Sequence, residues 1–267
     1  MIVDGRSVAE EVYTAVQREY EGLVRAVRLG IIMVGQDPVV ASFVRIKGRS
    51  AERLAVEMVR VDIPEDSTTE YVIEALRQLS TRVDGIIVQL PLPVHMNVES
   101  ILSAIPRELD IDGINPTIAE SDRAVRAPVA GAVAEILHRT SVDISGKRAV
   151  VVGAGRLVGI PVAAMLLDLG ADVSTVTLES GSLDELEDAD LIVLGAGNPG
   201  FVTPNMITDG VILIDAGTSE SSGKVVGDAD PACASKCSVF TPVPGGIGPI
   251  AVAMIFKNLL ELSKLHN

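Results

Sequence analysis

Basic residues are scarce: lysine and arginine together number 22 against 36 aspartates and glutamates, a formal charge of −14 at pH 7. Non-specific binding to nucleic acid depends on Lys and Arg neutralising phosphates, so no nucleic-acid partner is expected. An anionic ligand would have to be held by a local cationic site or by backbone amides. Cysteine and histidine are rarer still. Cys233 and Cys237 stand four apart in a Pro/Ala/Ser-rich stretch, and His95, His138 and His266 are scattered. Nothing in that pattern has metal-ligand spacing, which predicts reduced, structural thiols and no metal. Long hydrophobic runs are missing too, since even a stretch such as Gly85 to Leu92 is too short to span a bilayer. The opening Met1-Ile2-Val3-Asp4-Gly5 lacks a basic region followed by an apolar one, and a cytoplasmic location with no membrane partner is the expectation.

What the chain has is apolar bulk. With 267 residues and 48% hydrophobic content it can bury a generous core, near the size at which single cores divide into two domains. In the first half, apolar spacing predicts a helix over Ser7 to about Ala26, a buried strand over Leu29–Gly35 and a helix from about Val39 to Ala55. A strand Val56–Val61, a helix Thr69–Leu79 and a strand Asp84–Leu90 follow. Strands alternating with helices of this length imply parallel sheets with right-handed crossovers. The second half repeats the pattern: strand Lys147–Val152, helix Gly159–Leu169, strand Asp172–Thr177, then strands at Leu191–Leu194, Val211–Ile214 and Ser238–Phe240. The fold class is thus α/β in two domains, the second a Rossmann-type doubly wound parallel sheet. A last helix, about Ile250 to Lys264, follows the Pro/Gly cluster Pro242–Pro249 and is expected to return to the first domain.

Several motifs sit where chemistry gathers. The strand ending at Val152 runs into Gly153-Ala154-Gly155-Arg156-Leu157-Val158-Gly159 and then a helix. Glycines let a backbone approach a pyrophosphate while the helix N-terminus offers free amides, so this turn is a dinucleotide site or simply a tight strand–helix connection. Glu179, 20 residues beyond Gly159, suits a ribose hydroxyl, or is a solvated loop residue. Gln89 stands at the carboxyl end of an apolar strand closed by Pro91 and Pro93, the end at which ligands of open α/β sheets gather. Lys47 lies four residues after Phe43, so ammonium and ring share one helical face. Such a ring can stack on a flat heterocycle while the lysine handles protons. Asp110-Ile111-Asp112-Gly113 and Thr241–Pro249 are rigid turn segments that shape either a ligand site or a crossover.

Together these segments resemble the methylenetetrahydrofolate dehydrogenase/cyclohydrolase family over nearly the whole chain. The matches are Ile2-Val3-Asp4-Gly5, Val34-Gly35 with Pro38 and Lys47, Asp84-Gly85 with Val88–Pro93, and Asp110–Gly113. They continue with Gly153, Val158-Gly159 and Pro161, Gly197 with Pro199-Gly200-Phe201, Gly223-Lys224-Val225-Val226-Gly227-Asp228, and Thr241 through Pro249. The resemblance implies a catalytic folate-binding domain over residues 1–120 plus 250–267, a nicotinamide-dinucleotide domain over 121–249, a folate cleft between them, and a homodimer. It implies that Lys47 is the catalytic lysine, Gln89 the glutamine that positions it, and Asp112 the carboxylate on the pterin edge. Phe43, Pro244 and Gly245 become substrate contacts. Gly153, Ala154, Gly155, Val158, Gly159, Glu179 and Thr218 become cofactor contacts, with no metal.

The implied chemistry is oxidation of methylenetetrahydrofolate with NAD(P)+ followed by hydrolysis of the methenyl product to formyltetrahydrofolate, in one-carbon metabolism. Folate nitrogen lone pairs stabilise the cation left by hydride departure, so orientation is the protein's main task. Lys47, held partly neutral by its surroundings, would move the proton of the attacking water. Departures from the family pattern bear on this second step: Phe43 replaces a tyrosine and Leu109 a lysine. A Pro-Cys-Thr-Pro segment is here Arg126-Ala127-Pro128-Val129-Ala130, Gly155 replaces a serine, and Thr218-Ser219 replace Ile-Asn. Alternatives are a dehydrogenase with weak or no cyclohydrolase activity, a dehydrogenase of a related pterin carrier, and a silent nucleotide-binding regulator. NADP is the family default, kept open by Arg156 and Ser180. A carboxylate at Glu179 would face the extra phosphate of NADP with like charge, and favours NAD.

Overall fold

Buried residues at helical spacing, Ala9, Val12, Val16 and Tyr20, build the first helix, α1 (Gly5–Glu21). It stops short of the expected Ala26 because the chain turns at Gly22, where Gly22 N donates to Glu19 O and Leu23 N to Tyr20 O. The computed structural model describes residues 1–23, 25–177, 179–221 and 224–265; Leu178, Gly223 and His266 lie outside the described residues.

The chain then runs β1 (Arg28–Val34), α2 (Pro38–Arg53), β2 (Glu57–Ile63), α3 (Thr69–Ser80), β3 (Gly85–Val88) and α4 (Val98–Ser103). Side-chain caps start the later helices, Thr68 Oγ1 accepting from Tyr71 N and Asn97 Oδ1 from Ser100 N. The three strands form a parallel sheet in the order β2-β1-β3. A single parallel bridge from Ile86 to Asp110 lays the 110–112 segment beside β3. Six of the seven residues of β1 and all of β3 are buried, which is why they read as continuous apolar runs rather than alternating ones. β2 is the edge strand, and its partial exposure explains its mixed composition.

The second half continues with α5 (Pro128–Arg139), β4 (Arg148–Val152), α6 (Gly159–Asp168), β5 (Asp172–Val176), β6 (Leu191–Leu194) and β7 (Ile212–Asp215). A short antiparallel hairpin, β8 (Ser219–Ser221) and β9 (Lys224–Val226), precedes β10 (Val239–Phe240) and α7 (Ile247–Leu265). The five main strands are parallel in the order β10-β7-β6-β4-β5. Strand order reverses between β4 and β6, and ligands of open α/β sheets bind at the carboxyl ends of strands at such a point. Among the described residues, α6 is the one full helix that serves the crossovers between these strands. The connections from β5 to β6 and β6 to β7 carry short 3-10 turns, Leu183–Asp188 and Pro204–Met206.

The chain divides into two units, Glu11–Pro128 with Val252–Asn267, and Met1–Glu10 with Val129–Ala251. The first ten residues therefore group with the dinucleotide-type sheet. The reason is backbone pairing: Val3 N donates to Phe240 O at 2.8 Å and Phe240 N to Met1 O at 2.9 Å, extending the edge at β10. The later part of α7 belongs with residues 11–128. There buried Asn258 donates to Ile111 O and Arg126 O at 2.8 and 2.7 Å, and Tyr20 Oη donates to Phe256 O at 2.9 Å.

Candidate active site

In the unit of residues 11–128, Asp37 Oδ1 accepts from Val40 N at 2.9 Å and so starts α2. Buried Val40, Val44 and Ala51 hold one face of the helix on the sheet. Lys47 falls on the same stripe, three residues after Val44, and is half-buried; Phe43, one turn before it, lies at the margin of that face and is exposed. From β3 comes Gln89, only 8% exposed, whose backbone N–H donates to Ile32 O. Its side-chain Nε2 donates to Leu90 O at 2.8 Å, which orients the amide and turns Oε1 toward Lys47. Lys47 Nζ donates to Gln89 Oε1 at 2.7 Å, across 42 residues of sequence. The structure thus brings together the lysine and the glutamine singled out in the sequence.

The Asp110–Gly113 turn separates two carboxylates. Asp110, buried, accepts from Ile114 N at 3.1 Å and Asn115 N at 2.9 Å, with Arg123 4.0 Å away. It is a brace for the turn. Asp112 is half-buried and electrostatically coupled to Lys47. Burial pushes its carboxyl up to about 6, the Lys47 ammonium opposing and the Asp110 charge reinforcing the rise. Burial likewise holds the Lys47 ammonium below its ordinary value, against the pull of Asp112. Both groups are displaced toward their neutral forms, which suits a lysine that must accept a proton near neutral pH. Two positions around this turn need glycine: a Cβ on Gly85, at the start of β3, would stand 2.4 Å from Ile111 Cγ2, and Gly113 has φ +59°. Leu109, at the position of the family's lysine, is buried in the hydrophobic cluster of this unit.

In the other unit, the Gly153–Gly159 turn lies at the strand-order reversal. Gly153 has φ +104° and a Cβ there would meet Gly195 O at 2.6 Å; one on Gly159 would meet Gly153 O at 1.9 Å. Ala154 and Gly155 are exposed, Val158 is half-buried, and a Cβ on Gly155 would meet nothing within 4 Å. A backbone held this tightly, open on one side and leading into the ten-residue α6, fits a dinucleotide pyrophosphate. Glu179 is exposed in the turn after β5, its backbone N–H donating to Thr177 Oγ1 at 3.3 Å. Thr218 is exposed just after β7, Pro244 is exposed, and Gly245, with φ +102°, accepts from Gly5 N at 2.9 Å.

Sequence reasoning named Asp228 only within the matched Gly223–Asp228 segment, with no role, and did not single out Asp215. Asp228 is fully buried and accepts from Ala196, Gly197 and Asn198 N–H; Asp215 accepts from Gly217 and Ala229 N–H. Burial raises both carboxyls, Asp215 to about 6, with the amides opposing. The available signal was the glycine beside each, Gly217 and Gly227.

A parallel dinucleotide-type sheet with a glycine turn, together with a second α/β unit carrying a desolvated lysine on a fixed glutamine, defines a two-domain nicotinamide-dependent enzyme. Residues 3–112 match the tetrahydrofolate dehydrogenase/cyclohydrolase catalytic domain, and residues 127–267 match the NAD(P)-binding domain of the same family. The chain belongs to that family. The bifunctional protein FolD of Methanoculleus marisnigri is 36% identical to it, over 100% of this chain and 97% of that relative. Among solved structures, the bifunctional FolD methylenetetrahydrofolate dehydrogenase/cyclohydrolase of Campylobacter jejuni superimposes with TM-score 0.94 at 30% identity, covering 100% of this chain and 99% of that one. The Trypanosoma brucei N5,N10-methylenetetrahydrofolate dehydrogenase-cyclohydrolase, complexed with NADP cofactor and inhibitor, gives 0.93 at 32% identity, covering 100% and 98%.

Proposed function

We propose that this protein oxidises methylenetetrahydrofolate with a nicotinamide dinucleotide and hydrolyses the methenyl product to formyltetrahydrofolate. The observation that carries the reading is the 2.7 Å bond from Lys47 to Gln89, beside Asp112, in a chain of this family. When bound, the dinucleotide supplies the hydride acceptor. The turn at Gly153, Ala154, Gly155, Val158 and Gly159 holds its pyrophosphate through backbone amides, with Glu179 and Thr218 further along it. Phe43, Pro244 and Gly245 contact the folate, and Asp112 accepts from the pterin edge. In the hydrolytic step the neutral Lys47 amine takes a proton from water as its oxygen bonds to the methenyl carbon. The same lysine returns the proton to the folate nitrogen as the carbon–nitrogen bond breaks, and the remaining hydroxyl proton leaves to solvent as the formyl carbonyl forms. Gln89 fixes the amine throughout.

NAD is the dinucleotide we favour, because an exposed carboxylate at Glu179 accepts from free ribose hydroxyls and repels a phosphate. A cytoplasmic homodimer completes the proposal. Two assays test its core: dinucleotide reduction with methylenetetrahydrofolate, and loss of the methenyl compound's absorbance without dinucleotide. Inactivity in both, with folded protein, refutes it.

A further inference from the structure

We propose that Asp228 and Asp215 are positioning residues for the dinucleotide, their carboxylates locking the strand-end loops that wall its site. Successive amides that converge on one point form an anion-binding concavity, commonly occupied by a ligand phosphate. Residues 196–198, at the carboxyl end of β6, form such a concavity: Ala196 and Gly197 N–H donate to Asp228 Oδ2 at 2.7 and 3.1 Å, and Asn198 N–H to Oδ1 at 2.8 Å. The occupant is the protein's own carboxylate, fully buried. The concavity is therefore not available to the pyrophosphate, which falls to the Gly153–Gly159 turn on the neighbouring β4. What the carboxylate does is set the backbone of the 196–198 loop across the strand-order reversal.

The second carboxylate closes the same device. Asp215, ending β7, accepts from Gly217 N at 2.9 Å and Ala229 N at 2.8 Å, one residue from each side of the β8–β9 hairpin. That fixes the base of the hairpin, where Thr218 emerges. The two acids are interlocked. A Cβ on Gly217 would stand 2.2 Å from Asp228 Cγ, and one on Gly227 would stand 2.1 Å from Asp215 Oδ2. Ser219 Oγ adds a bond to Gly197 O at 3.0 Å, tying hairpin to loop. None of these groups is a candidate to touch the folate or Lys47, so their effect should be confined to the dinucleotide.

The inference rests on the proposed dinucleotide function, and hydrolysis of the methenyl compound, which needs no dinucleotide, separates the two. Dinucleotide Kd by titration calorimetry and hydrolysis rate are measured on the full chain. Asp228→Asn keeps the volume but turns an NH2 toward a backbone N–H, and is expected to raise Kd about tenfold while hydrolysis stays within about twofold. Gly217→Ala, which displaces the carboxylate without altering charge, should do the same. Ser219→Ala, a milder cut of the same lock, should raise Kd about threefold and remains readable where the other variants do not fold. Unchanged Kd in the folded variants of a dinucleotide-binding wild type overturns the inference alone. Hydrolysis falling in parallel with binding also overturns it, since the lock would then be merely structural. A wild type that binds neither NAD nor NADP overturns the functional reading and this inference with it.

Discussion

The 110–112 turn of one unit and the loops after β7 and β9 of the other each hold a pair of buried or half-buried aspartates, and the two pairs are used differently. In the 110–112 turn one acid, Asp110, is occupied by backbone amides and Arg123, while its neighbour Asp112 is left to Lys47. In the other unit Asp215 and Asp228 are both occupied by backbone amides. A carboxylate whose lone pairs are held by N–H groups is architecture; one facing a desolvated ammonium can exchange protons or bind a ligand. Sorting acids by partner, rather than by burial, therefore separates chemistry from support.

The largest test of that contrast is Lys47→Met. Hydrolysis of the methenyl compound should fall by about a hundred- to ten-thousandfold, the usual worth of a positioned general base, with dinucleotide binding little changed. Retained hydrolysis in the folded variant would place the base elsewhere.

Asp112→Asn comes next. The folate KM should rise about ten- to a hundredfold through loss of a charged hydrogen bond. Because the charge on Asp112 supports the Lys47 ammonium, its removal lowers the lysine further. Hydrolysis, which needs the neutral amine, should then rise at lower pH than in the wild type. A pH–rate profile with an unmoved limb would uncouple the two residues.

The same substitution has an opposite effect on stability. Asp112 is raised from 3.8 to about 6, so folding disfavours its ionised form. The destabilisation is absent below 3.8, grows between 3.8 and about 6, and is complete above. Asp112→Asn should therefore be more stable than the wild type by about 1–3 kcal/mol at pH 8, the gain vanishing near pH 4 in urea unfolding. Asp215→Asn should instead destabilise by about 1–3 kcal/mol, since its amide would face backbone N–H groups. Equal signs for the two variants would erase the distinction drawn between the pairs.

Smaller still are two changes at exposed residues. Glu179→Ala should move the NAD-to-NADP ratio of kcat/KM toward NADP by about tenfold. A strong native NADP preference, untouched by the substitution, would turn Glu179 away from the ribose. Phe43→Tyr restores a hydroxyl near Lys47 and should raise hydrolysis about two- to tenfold, the worth of one hydrogen bond; a loss would show that the ring alone is what the site needs.

Much of this was legible in the sequence, because it is encoded within a few residues. Apolar runs at Leu29–Gly35 and Val150–Val152, alternating with helical spacing, determined two parallel α/β layers, and the Gly153–Gly159 turn marked a candidate dinucleotide site. Residue order along the chain also carried the family resemblance. The tertiary structure decided what local pattern cannot: that Lys47 and Gln89, 42 residues apart, meet at 2.7 Å; that Asp110 braces while Asp112 faces the lysine; and that Met1–Val3 pair with β10. The physical reason is common to all three. Helix and strand follow from short-range periodicity, whereas the partner of a buried polar group is set by which distant backbone or side chain the sheet register brings within hydrogen-bonding distance.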